Sequence, residues 1–169
     1  MVTGIVSQDR LSQMKSRATA QIAILDLARS HIPEANRAPV WEIGYGGGRT
    51  YDRLHRLFPE NRISVFDNRP DGKEPVEADG NRFTFGDVFN VLPDEAREWR
   101  GKVQFLHADI GTPDFDRDLE KYSKLGEIAA TALAPGALIA SDRPIAAAGW
   151  TRIASGLEHN WSYFLWRAP

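Results

Sequence analysis

The sequence predicts an α/β fold: a doubly wound, mostly parallel sheet with helices on both faces and antiparallel strands at its C-terminal end. Short runs of β-branched, aromatic and aliphatic residues alternate with longer runs whose apolar residues recur every three or four positions. The stretch "VWEIGYGGGRTYDRL" (40–54) places a glycine cluster between a strand-like run and a helical one, and glycine is the residue that a sharp strand-to-helix turn selects. After Asp142 little room is left for another long helix, so the aromatic run "WSYFLWR" (161–167) reads as a late, well-buried strand.

Taken in chain order, Leu11, Met14, Ala18, Ile22 and Leu25 form one apolar stripe, which predicts an amphipathic core-packing helix from about 9 to 31, closed by Pro33. Val40, Trp41 and Ile43 then make a strand apolar on both faces, and Tyr51, Leu54, Leu57 and Phe58 continue as a helix up to Pro59. "RISVF" (62–66), "RFTF" (82–85), "VQFLHA" (103–108) and "ALIAS" (137–141) follow as strands. The polar, Pro- and Gly-rich stretch 68–81 has no apolar periodicity and reads as a loop. Helical patterns occupy 93–99 and 115–133; in the second, Leu119, Tyr122, Leu125 and Ala129 share a face, and "APG" (134–136) ends it. A weaker strand at 150–153 lies beside the last one. With no repeat, low-complexity tract or linker, residues 1–169 are expected to form a single domain.

Composition narrows the function classes. With 169 residues, 42% hydrophobic and 26% charged, the chain can bury a substantial core. A net charge of −2, with basic residues interleaved among acids, gives no footprint for nucleic acid or an anionic membrane. The absence of cysteine excludes disulfides, thiolate catalysis and thiolate metal sites. His31, His55 and His159 lack metal-ligand spacing with neighbouring acids, so no metal is expected; His107, inside a strand, reads as a hydrogen-bonded core histidine. No run approaches a membrane span and the opening residues lack an apolar signal core, which implies a cytoplasmic protein. A homodimer stays open.

The glycine turn invites an anionic ligand, because the unpaired amides of the new helix face it. The nicotinamide-dinucleotide pattern G-x-G-x-x-G/A requires a small residue where this chain has Arg49, whose bulk conflicts with close helix–strand packing. The spacing that fits is E-x-G-x-G-x-G, with Glu42, Gly44, Gly46 and Gly48. It resembles motif I of the class I, Rossmann-like S-adenosylmethionine-dependent methyltransferases, and "GxGRTYDxL" is similar to that of a group of small members of unassigned substrate. The resemblance continues with Asp67 at the end of the second strand, "GDV" (Gly86, Asp87, Val88) after the third, Asp109 in "HADIG" after the fourth and the segment "LAPGALIAS".

This resemblance implies S-adenosylmethionine as cofactor and methyl transfer by in-line displacement to a small-molecule acceptor. It gives Asp67 the ribose hydroxyls, Asp87 and the Val88 amide the adenine, and the turn from Gly44 through Tyr45, Gly46 and Gly48 to Arg49 and Thr50 the aminoacid end. Glu42, in a buried strand, is expected to meet the loop amides or the cofactor. Gly86 and Asp109 are expected among the cofactor contacts as well; Asp109, and after it Asp142, are the candidate general bases, while Arg17 and Gln21 are placed to act as a lid. Each residue has a plainer reading beside this one: Asp67 a turn aspartate, Asp87 a helix cap, Arg49 and Thr50 helix-start residues, Asp109 and Asp142 loop aspartates. The rival functions are a non-catalytic adenosyl-binding regulator and a nicotinamide-dependent oxidoreductase. Calorimetric titration separates the ligands. S-adenosylmethionine and its demethylated product are expected to bind, and NAD poorly or not at all, because Arg49 stands where the dinucleotide motif requires a small residue.

Overall fold

The computed structural model describes residues 9–68, 80–156 and 162–169. The chain starts with α1 (Arg10–Ser30), whose first turn is capped by the Asp9 carboxylate, accepting from the amides of Leu11 and Ser12 at 2.9 and 3.0 Å. There follow β1 (Val40–Ile43), α2 (Arg49–Leu57), β2 (Ile63–Asp67), β3 (Arg82–Phe85), α3 (Val88–Glu98), β4 (Val103–Ala108), α4 (Phe115–Ala129), β5 (Leu133–Ser141), β6 (Thr151–Ile153) and β7 (Phe164–Arg167). The strands form one seven-stranded sheet in the order β3-β2-β1-β4-β5-β7-β6. Pairing is parallel from β3 through β5; β7 runs antiparallel to both β5 and β6, so it is the one reversed strand among those described.

Alternation along the strands divides the core into two layers. Trp41, Ile43, Phe66, Leu106 and Ile139 point towards α3 and α4, meeting Leu92, Tyr122 and Leu125. Val40, Ile63, Phe105, Leu138 and Leu165 point the other way, against Ile24, Leu25 and Leu54 of α1 and α2. All four residues of β1 are buried, as its apolar run predicts for a central parallel strand.

Four details differ from the sequence reading. The first concerns α1, which buries only Leu25 of the expected stripe: Leu11, Met14 and Ile22 are 77%, 55% and 49% exposed. Its buried residues are Ala20, Ile24, Leu25 and Ala28, and Arg17 and Gln21 continue the Ile24–Ala28 line at helical spacing. The face turned to the sheet is thus apolar over the strands and polar beyond their ends. Secondly, α3 begins at Val88 rather than Pro93, because the Asp87 carboxylate accepts from the Phe89 amide at 2.9 Å and starts the helix early. Pro93 lies inside α3, where it supplies no amide to the ladder.

Thirdly, α4 stops at Ala129, and "APG" belongs to β5. Val103 pairs with Leu133 but Phe105 with Leu138, so the extra residues bulge out around Gly136, whose φ of 74° suits glycine. Finally, the last strand is confined to Phe164–Arg167 and is only partly buried, Leu165 being its one buried residue. Of the stretch 68–81 read as a loop, 69–79 lie outside the described residues, as does Trp161. No described helix is long and apolar enough to cross a membrane.

The reassigned face of α1 has a direct test in urea denaturation. Ile24→Ala removes a fully buried side chain and is expected to cost about 2–4 kcal/mol. Met14→Ala, on the exposed stripe, is expected to stay within about 0.5 kcal/mol of the parent.

Candidate cofactor-binding crevice

The carboxyl ends of β1, β2 and β4 meet at one edge, and the parallel ladder runs on into the loops: the Gly44 amide donates to Phe66 O and the Asp109 amide to Ile43 O, both at 2.9 Å. From Gly44 the chain turns through Tyr45, Gly46 and Gly47, with the Gly48 amide closing back on Tyr45 O at 2.8 Å. Gly48, at φ 72°, then caps α2.

The glycines are required for different reasons. At Gly44 (φ 98°) an added Cβ would lie 2.5 Å from Asp109 O, and at Gly48 it would lie 2.7 Å from the Tyr45 hydroxyl. Backbone excludes a side chain at Gly44, whereas at Gly48 the Tyr45 ring could shift and the positive φ of 72° is what selects glycine. Around Gly46 and Gly47 nothing lies within 4 Å of the position a Cβ would take. These two turn their bare backbone to open space.

That space consists of two cavities. One, of about 430 Å³, is lined among others by Asp67, Asn68, Asp87, Val88 and Ile110. The other, of about 290 Å³, lies between the turn and α1 and is lined by Met14, Arg17, Gln21, Tyr45, Arg49 and Thr50. Gly44, Gly46 and Asp109 border both, so the two are halves of one crevice across the ends of β1 and β4.

Asp67 Oδ2 accepts from the amides of Tyr45 and Gly46 at 2.5 and 3.0 Å, so this carboxylate holds the glycine turn while facing the larger half. Asp87 caps α3 and also lines that half, with Val88 beside it. The Gly86 amide extends the ladder to Asp67 O at 3.1 Å, but Gly86 is not part of the cavity wall. Tyr45 packs its ring against Tyr51 and Phe83, with centroids at 5.8 and 5.7 Å. Arg49 is exposed and has no ion-pair partner among the described residues.

Glu42 meets neither the loop amides nor the crevice. It is fully buried beneath the turn, where the Thr50 hydroxyl donates to Oε1, and burial pushes its carboxyl up. His107 is equally buried on the neighbouring strand, but its Nδ1 stands 3.8 Å from Glu42 Oε1, beyond hydrogen-bond reach. The expectation of a hydrogen-bonded core histidine is therefore half right: the residue is core, and neither ring nitrogen has a hydrogen-bond partner among the described residues.

The two candidate bases sit in opposite environments. Asp109 receives three side-chain donors: Arg17 Nη2 at 2.5 Å, Gln21 Nε2 at 2.6 Å and the Tyr163 hydroxyl at 2.9 Å. Burial works to raise its carboxyl, but the Arg17 guanidinium and the other donors prevail and hold it down at about 2. Asp142 is pushed up to about 6 by burial and by the neighbouring Asp109 charge. It accepts a hydrogen bond from the Tyr122 hydroxyl, which itself accepts from the Ile110 amide at 2.8 Å, and it lines neither half of the crevice. Asp109 has the position of a general base without the basicity; Asp142 has the basicity without the position.

Arg17 and Gln21, expected as a lid, are found as donors to Asp109 on the crevice wall. Tyr122 and Tyr163 escaped the sequence reading, since as aromatic residues in apolar runs they give no sign of a hydroxyl reaching a carboxylate. Among the described residues no group of three or more His, Asp or Glu could hold a metal ion.

Residues 8–168 match a family model described as S-adenosyl-L-methionine methyltransferase. The chain belongs to this family. Among solved structures it is similar to an S-adenosyl-L-methionine methyl transferase from Silicibacter pomeroyi DSS-3, with a TM-score of 0.79 and 24% identity over 96% of this chain and 100% of that one. It is also similar to the MycE methyltransferase of the mycinamycin biosynthetic pathway, solved with Mg and SAH (TM-score 0.53, 19% identity, 84% of this chain and 36% of that one). A third likeness is to the aminoglycoside resistance methyltransferase NpmB1 (TM-score 0.54, 12% identity, 88% and 93%). No curated protein matches the sequence. The sheet is that of the Rossmann-like methyltransferases, with an antiparallel strand near its C-terminal edge.

In this methyltransferase the acid pair gives stability a definite pH dependence. Asp109, held at about 2 against an ordinary 3.8, contributes stability that is present above 3.8 and lost as pH falls towards 2. Asp142, raised from 3.8 to about 6, contributes stability that is present below 3.8 and lost as pH rises through 6. Thermal unfolding from pH 3 to 8 is expected to show Asp142→Asn abolishing the decline between pH 4 and 6 while the acid limb below pH 4 persists.

Proposed function

We propose that the enzyme transfers the methyl group of S-adenosylmethionine to a small-molecule acceptor. The observation that supports this reading is the division of the crevice at Gly44, Gly46 and Asp109. The larger half, with Asp67 on one wall and Asp87 and Val88 on the other, suits an adenosine: carboxylates for the hydroxyls of a ribose, and an acid with a neighbouring amide for a base edge. The smaller half, with cationic Arg17 and Arg49 and the open backbone of Gly46 and Gly47, suits the aminoacid end. The residues present thus fit the cofactor.

S-adenosylmethionine supplies a methyl group already activated by its sulfonium leaving group. What remains for the protein is to align a nucleophile, exclude water and, where the nucleophile carries a proton, let that proton leave. Alignment falls to the rigid strand ends and to α1. Asp109, kept ionised by Arg17, presents a fixed charge rather than a proton acceptor. Asp142 is sealed behind Tyr122. An acceptor proton therefore passes to water, which favours an acceptor that ionises readily near neutral pH.

A net charge of −2 without a clustered basic surface supports a small acceptor over a polynucleotide. The test is transfer from methyl-tritiated S-adenosylmethionine to a cell extract separated into small molecules, RNA and protein. Label is expected among the small molecules, and label in RNA or protein overturns the assignment. In parallel, Asp67→Ala is expected to weaken binding of the demethylated cofactor by at least about 2 kcal/mol, since it removes the charged acceptor and releases the turn that Asp67 holds. Calorimetry measures the loss.

A further inference from the structure

We propose that an exposed ridge of α1 is the contact surface for a second copy of this chain, whose own α1 crosses it antiparallel about a two-fold axis at Ala18. The inference is separate from the cofactor reading and stands on the apolar stripe that the core leaves unused. Among the described residues, Leu11, Met14 and Ile22 are three of the six large hydrophobic residues left exposed. Exposed apolar surface thus gathers on one helix, as it does where proteins associate. Along that helix Arg10, Met14, Ala18, Ile22 and Asp26 follow at intervals of four, the spacing of the ridge that packs into the groove of another helix.

The order of residues in this ridge identifies the partner. Read outwards from Ala18 in either direction, it presents an apolar residue and then a charge, and the two charges are opposite. A two-fold axis at Ala18 therefore sets Met14 against Ile22 and Arg10 against Asp26, each pairing made twice. At the centre the small, exposed Ala18 meets itself and lets the helices approach. A foreign helix would need a sequence matched to this ridge; a second copy already carries it.

The charges are available for this pairing. Arg10 is exposed and has no ion-pair partner among the described residues. Asp26 is engaged by Arg53 of α2 at 2.5 Å, yet its side chain stays 43% exposed and open to a second cation. The ridge also has a recess beside it: Ala18, Ile22 and Leu25 border a cavity of about 130 Å³ with Arg49 and Arg53 on its far side. Met14 of the second copy lies opposite Ile22 in the paired arrangement, and a flexible thioether side chain suits such a recess. Met14 and Ala18 border the smaller half of the crevice as well, so the contact runs along its margin.

The experiment is sedimentation equilibrium of the full chain over a range of concentrations. The parent is expected to pass from monomer to dimer as concentration rises. Ala18→Glu and Ala18→Lys each set like charges against one another on the two-fold axis and are expected to weaken association about tenfold or more. Mixed in equal amounts, the two variants are expected to restore the dimer, because opposite charges then meet on the axis. Thr19→Glu, exposed but off the ridge, is expected to leave association within about twofold. A parent that stays monomeric at every concentration overturns the proposal, as does a dimer indifferent to both Ala18 variants or a mixture that fails to re-form it. Thermal unfolding of dilute samples checks that each variant folds, since a second copy adds stability only above the dissociation constant. If an Ala18 variant fails to fold, Met14→Glu on the same ridge decides the matter, with weakened association expected and unchanged association overturning the contact.

Discussion

The rest of the site depends on how close two stretches of backbone come. At Gly44 the end of β1 approaches the Asp109 carbonyl so nearly that a Cβ would stand 2.5 Å from it. Any other residue would drive β1 and β4 apart at the edge where the crevice opens, and would also be strained at φ 98°. With the contact intact, the glycine turn lies against the loop after β4, Asp67 reaches its amides, and the Asp109 carboxylate comes within reach of Arg17, Gln21 and Tyr163. Local sterics just after β1 thus place an acid just after β4.

The sheet was readable because central parallel strands are buried on both faces and show as mostly apolar runs, as in β1 and β4. The face of α1 was not, because its sheet-facing line runs Arg17, Gln21, Ile24, Ala28 and is half polar. The more uniformly apolar stripe through Leu11, Met14 and Ile22 drew the prediction to the wrong side. Pro93 misled in a similar way: proline is favoured near helix starts, but Asp87 had already started α3. In the site, the residues at strand ends were named by the family resemblance. The donors to Asp109 lie 92, 88 and 54 positions away along the chain, and no local pattern records such a meeting. Nor does a run of glycines state what excludes each side chain; Gly44 and Gly48 face protein, Gly46 and Gly47 face open space.

The neighbouring carboxyls of Asp109 and Asp142 divide into one charged and one readily protonated group. Two adjacent buried acids cannot both ionise cheaply; Asp109, with the Arg17 guanidinium at 2.5 Å, keeps its charge, while Arg143 at 3.3 Å is not enough to hold Asp142 down. The protonatable member, bonded to Tyr122 and out of the crevice, carries the electrostatic strain of the pair without exposing it to the ligand.

The reversal of β7 has a consequence for which parts of the late chain can change freely. The parallel strands deliver their ends to the crevice, whereas β7 delivers its beginning: Ser141, at the end of β5, pairs with Phe164, and Tyr163 just before it reaches Asp109. The far end of β7 lies at the opposite margin of the sheet, where the Gly136 amide donates to Pro169 O at 3.2 Å. Two segments a few residues apart therefore answer to different constraints. Substitutions just ahead of Phe164 are felt at Asp109, while those after Arg167 are felt at the bulge in β5 and in the core layer that Ala168 joins.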